Sequence, residues 1–189
     1  TSDVKIQPAF ISPIRVSKPF PVSESEKNPK PMFTINWALP SSTNIDHIFL
    51  FTVIDYILLG SPASPLRKAL IESGLGEDIT GGGLETHLQQ MFFSVGLKGV
   101  EESNLDKAET LILQTLEDLI KNTINKNDID AAINTFEFDL RENNTGGFPR
   151  GLSLWLKALN GWNYGADPIS LIAFENPLNK LKEDIKTPM

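Results

Sequence analysis

The sequence predicts an α+β fold, a mainly antiparallel sheet with helices packed on one face. Three observations carry that prediction. The stretch "MFTINWAL" alternates, with Phe33, Ile35, Trp37 and Leu39 on one side and Thr34, Asn36 and Ala38 on the other, the pattern of a half-buried strand. A second run, "MFFSVGLKGV", sets Met91, Phe93, Val95 and Leu97 against Phe92, Ser94, Gly96 and Lys98. From residue 104 onward the apolar spacing changes to three and four residues, and helix follows helix.

The elements follow in order. Residues 1–31 hold six prolines, each lacking the backbone N–H that a helix or sheet interior needs. They read as a Pro-rich linker with one short edge strand over residues 14–18, ahead of an α+β domain over 32–189. After the strand at 33–39, "PSST" breaks the pattern, and Ser42, Thr43 or Asn44 caps a helix over 45–59. That helix is apolar nearly all round, so it is expected to be the central one. Its stripe of Ile48, Phe51, Ile54 and Leu58 is expected to lie buried against the first strand.

Gly60 ends this helix, and a second runs over 64–73, closed by Gly74 in the left-handed position past a helix end. A strand is expected over 91–99 and a long amphipathic helix over 104–124. The next helix, 128–142, carries Ile129, Ala132, Ile133, Phe136 and Leu140 on one stripe and pairs Glu137 with Arg141 outside. Three more helices are expected over 151–159, 168–174 and 177–185.

Composition narrows the function. A net charge of −7 argues against nucleic acid and suits basic peptides instead. There is no cysteine, hence no disulfide or thiolate chemistry. The longest apolar run, 48–59, is interrupted by Thr52, Asp55 and Tyr56 and does not reach membrane-spanning length.

Chemistry-bearing motifs are scarce. His47 and His87 are the only imidazoles, and neither has a ligand-spaced neighbour in sequence, so no metal site is expected in this chain. No G-x-S-x-G occurs. "TGGGLE" lacks the Lys-Ser or Lys-Thr of a phosphate loop. Two readings of Gly81, Gly82 and Gly83 stand: a flexible bend before a strand, or uncovered backbone that another chain can approach. The flanking Glu72, Glu77 and Asp78 read as a solvated face, and Trp155 and Trp162 as core packing. Arg141, Glu142 and Arg150 read as holding together the turn in "LRENNTGGFPRGLSL".

Four stretches, "LLGSPASPLRKALIESGLGEDITGGG", "FSVGLKGV", "NTFEFDLRENNTGGFPRGLSL" and "ADPISLIAFENPLNKLK", closely resemble the presequence protease branch of the M16 zinc metallopeptidases. The resemblance runs from about Phe33 to Lys182. It implies one of four similar α+β domains of a peptidase that closes around a peptide chamber. The catalytic domain of that family carries zinc on H-x-x-E-H. This sequence has no such motif and resembles the second, noncatalytic domain, so the chain alone is expected to be inactive and zinc is expected in the intact protein only. The family pattern has one more helix and strand beyond "NPLNKLK", so the sheet here is expected to be short of its last strand.

The resemblance also implies a site. Related noncatalytic domains offer a sheet edge that anchors one end of the substrate, and the stretch Ile79, Thr80, Gly81, Gly82 and Gly83 lies where that edge is found. The implied role is substrate anchoring for unstructured, basic peptides, beside other domains of the same polypeptide, with a purely structural role as the alternative. The resemblance points to a mitochondrion or chloroplast in a eukaryote and to the cytoplasm in a bacterium.

Overall fold

The computed structural model describes residues 4–23 and 28–186. The elements are β1 (Phe33–Ser41), α1 (Ile45–Leu59), α2 (Pro65–Glu72), β2 (Asp78–Glu85), β3 (Gln90–Lys98), α3 (Leu105–Asn122), α4 (Lys126–Glu142), α5 (Arg150–Trp162) and α6 (Glu175–Lys186). The strands form one antiparallel sheet in the order β1–β3–β2.

β1 alternates as the sequence requires. Phe33, Ile35, Trp37 and Leu39 join the core while Thr34, Asn36 and Ala38 face solvent. β3 is central, with a strand on either side, and Phe93–Leu97 are buried. Asn44 opens α1, its side-chain oxygen accepting the Asp46 N–H at 2.9 Å. Asn125 does the same for α4 through the Asn127 N–H at 2.9 Å. These bonds satisfy donors that the first helical turn cannot pair internally.

Two apolar clusters share α1. On the sheet side, Leu58 packs with Leu66 and Leu70 of α2, Val95 and Leu97 of β3, and Ala108 and Ile112 of α3. On the other side, Phe49, Val53 and Ile57 pack with Ala132 and Ile133 of α4 and Leu178 and Leu181 of α6. Phe49 meets Phe136 edge-on at 4.8 Å between ring centroids. This explains why α1 is apolar all round: it is covered from two sides. The expected stripe is corrected accordingly. Leu58 is buried and Ile54 packs toward the sheet, but Ile48 belongs to the helical cluster and Phe51 is half-buried in neither.

Three further expectations are corrected. Residues 14–18 form no strand; the segment is extended and exposed, with Pro13, Pro19 and Pro21 removing ladder donors around it. Residues 168–172 form turns rather than a helix, held by the Asp167 carbonyl accepting from Ser170. Trp155 and Trp162 are not core residues: they are 53% and 59% exposed and share an outward apolar stripe of α5 with Leu152 and Leu156.

Candidate functional site

The five residues singled out in sequence fall together in β2, one of the two outer strands of the sheet. The strand expected over 91–99 is the central β3, so it offers no part of this outer edge. Pairing runs Ile79 to Leu97 and Thr80 to Gly96, then resumes at Gly83 to Ser94. One residue is therefore extra on β2, a bulge. Three consecutive glycines with φ of +109°, +82° and +73° make the bend, a region where L-residues are strained.

Each glycine has a different reason to be one. A Cβ on Gly81 would lie 2.6 Å from the Ser94 carbonyl oxygen, so this residue lets β2 close on β3. A Cβ on Gly83 would run into the Asp55 carboxylate. Around Gly82 there is nothing within 4 Å. Its side-chain direction opens onto empty space, and only its backbone angle demands glycine.

Asp55 is the functional candidate that sequence reasoning passed over. It rises from α1 to the strand, and its Oδ1 accepts the Leu84 N–H at 3.1 Å. Burial pushes its carboxyl above the usual carboxylate range, opposed in part by that N–H. A signal existed: one carboxylate stands inside an otherwise apolar stretch of helix. Asp55, Arg67, Asp78, Thr80 and Gly82 line an open cleft of about 460 Å³ beside the strand.

The other polar groups near the strand are spent on structure. Asp78 is held below the usual range by Lys98, 3.1 Å away, and by the Ile79 N–H. Glu72 pairs with Lys68 at 3.9 Å along α2, and Glu77 lies 3.6 Å from Lys30. Glu85 accepts the His87 N–H at 2.6 Å and meets the ring Nδ1 at 2.7 Å. These are exposed pairs of small energetic consequence. The Nδ1 of His47 is buried and unpaired. Among the described residues no group of three or more His, Cys, Asp or Glu is placed to hold a metal. The side chains present do not fit a zinc site, and no zinc chemistry is assigned to them.

Residues 1–136 match the family model for the inactive domain of peptidase M16. The chain belongs to the M16 peptidase family. It is 41% identical over 187 residues to presequence protease 1 of Arabidopsis thaliana, a chloroplastic and mitochondrial protein, covering 98% of this chain and 17% of that one. It is 35% identical to protein HypA of Clostridium perfringens, over 96% of this chain and 19% of the relative. It is 28% identical to the mitochondrial presequence protease of Mus musculus, over 81% and 15%. This M16 domain thus spans less than a fifth of the curated relatives it matches. Among solved structures, the inactive peptidase domain of a Bordetella parapertussis protein assigned as a zinc protease aligns with a TM-score of 0.63 at 18% identity, over 82% of this chain and 79% of that one. That similarity speaks for the fold.

Proposed function

We propose that this M16 domain anchors substrate for a zinc peptidase that degrades presequences and other short unstructured peptides in a closed chamber. Residues 1–31 act as the linker leading into it. An extended peptide adds to the outer side of β2 over Ile79–Gly83 as a further strand. One observation carries the reading: β2 is an outer strand whose central glycine has open space where a side chain would stand. Strand addition works through backbone groups, so it tolerates many sequences. It suits an enzyme whose substrates share little sequence.

Charge supports basic peptides as the preferred class. The chain carries −7. Targeting peptides are rich in Arg and poor in acidic residues. The relatives named for chloroplast and mitochondrion make an organelle the proposed location when the source is a eukaryote.

The test uses the intact protease. Gly82→Asn keeps a residue type that enters the left-handed region and places a side chain in the path of an added strand. KM for an unstructured basic peptide is expected to rise roughly tenfold, about 1.4 kcal/mol, with kcat and bound zinc unchanged, the signature of lost uniform binding. Unchanged KM in both Gly82→Asn and Gly82→Val would give the edge a structural role and reject anchoring.

A further inference from the structure

A second hollow lies where the end of α4, one face of α5 and residues 171–174 meet the start of α1, with Thr86 and His87 just past β2 also lining it. It encloses about 540 Å³, within the range of small-ligand pockets, about 300–1,000 Å³. Its bed is apolar and aromatic, with Phe49, Phe136 and Phe174 among the lining side chains. Its rim is cationic: Arg141, Arg150 and Lys157 line it, and no Asp or Glu does. In a chain of net −7, that local reversal of sign is a specific feature.

The three cations differ in how far they are committed. Arg141 is taken up by Glu137, with Nε and Nη2 at 2.9 and 2.8 Å from one carboxylate oxygen. It also lies over the Phe174 ring, 6.0 Å from the centroid. Glu137 is shared with Lys182, so the group retains positive charge. Arg150 donates only to the Glu142 carbonyl, at 3.2 Å, and pairs with no carboxylate among the described residues. Lys157 has no hydrogen-bond or ion-pair partner among them. Arg150, Leu154 and Lys157 recur at four and three residues, on one face of α5, so two cations that pair with no carboxylate among the described residues flank an apolar side chain. Asn143 and Asn160 add amide donors and acceptors to the lining.

We propose that this hollow binds the C-terminal end of a short peptide. The apolar last side chain enters the aromatic bed, and the terminal carboxylate lies on Arg150 and Lys157. An anion is demanded by the rim, and an apolar body by the bed. The two Asn amides favour a peptide over a fatty acid, which has no backbone groups to pair with them. The proposal does not rest on the β2 edge.

The probe is N-acetyl-Ala-Phe with a free carboxylate, titrated into the 189-residue chain by calorimetry and amide NMR. It is compared with its C-terminal carboxamide and with octanoate. The free acid is expected to bind at least roughly tenfold more tightly than the carboxamide, about 1.4 kcal/mol, and to shift the amide signals of Leu154 and Asn160. That preference is expected to vanish in the double variant Arg150→Gln, Lys157→Gln, both exposed positions whose circular dichroism should match the parent. Gly82→Asn should leave it intact, which separates this site from the edge. Equal binding of acid and amide, full binding by the double variant, octanoate matching the peptide, or no saturation at millimolar probe would each overturn the proposal.

Discussion

The two outer strands of the sheet are held in place by opposite means. β1 is held by its side chains: Phe33, Ile35, Trp37 and Leu39 enter the core, and Trp37 lies 5.8 Å from the Phe93 ring. β2 offers only Ile79 and Leu84 to that core. It stays attached through backbone pairing to β3 and through the Asp55 bond to the Leu84 N–H. A strand fixed by side chains resists exchange. One fixed by backbone leaves its outer groups as the feature a second chain meets, which is why the anchoring role is proposed for β2.

The comparison is broken most forcefully at β1. Trp37→Ala should cost about 3 kcal/mol, the lower end for aromatic truncation because Trp37 is only half-buried. Urea unfolding of the variant checks this, and a loss below about 1 kcal/mol would show that side chains do not hold the strand. On α1 the same logic moves the expected sensitivity from Phe51 to the buried Phe49.

Next in size are the glycines. Gly81→Ala combines a left-handed backbone with a contact on the Ser94 carbonyl and should cost about 2–3 kcal/mol. Gly82→Ala meets only the backbone strain and should cost about 1 kcal/mol. Equal melting temperatures for the two would mean that Gly81 does not control how closely β2 approaches β3.

Asp55 gives a pH test of how β2 is attached. Its folded-state pKa is raised above the ordinary 3.8, so the folded state binds more protons between those two values. Stability therefore falls as pH rises through that window. Asp55→Asn keeps an acceptor for the Leu84 N–H and cannot ionise. It should be more stable than the parent at neutral pH, with the advantage shrinking as pH falls and absent below 3.8. An advantage that persists in acid would locate its origin elsewhere. The smallest effect belongs to the surface: Glu72→Gln, breaking an exposed pair with Lys68, should change stability by less than about 0.5 kcal/mol.

The same contrast decides what could be read from sequence. β1, β3 and α1–α4 were legible because their side chains alternate or recur at helical spacing and because Asn44 and Gly74 mark ends. β2 was not legible as a strand, since three glycines carry no periodicity and its pairing depends on partners up to twenty residues away across a turn. The site residues were placed together by the resemblance, whereas Asp55 and Arg67 come to the cleft through tertiary packing of α1 and α2. Trp155 and Trp162 misled because helical spacing shows that a stripe exists and not what covers it. The uncommitted charges of Arg150 and Lys157 become visible only once the partners of every other cation are known.

The run of positive φ at Gly81, Gly82 and Gly83 has a stereochemical consequence. Over these residues the backbone occupies the mirror image of the conformations that L-amino acids favour, so it is a local preference for the opposite hand. A D-alanine placed at position 82 by chemical ligation would find its natural basin there, because the backbone angle already suits it. By narrowing the unfolded ensemble it should stabilise the chain by about 0.4–1 kcal/mol, where L-alanine at the same position destabilises. At Gly82 the sheet's least conventional strand thus discriminates enantiomers by backbone angle alone.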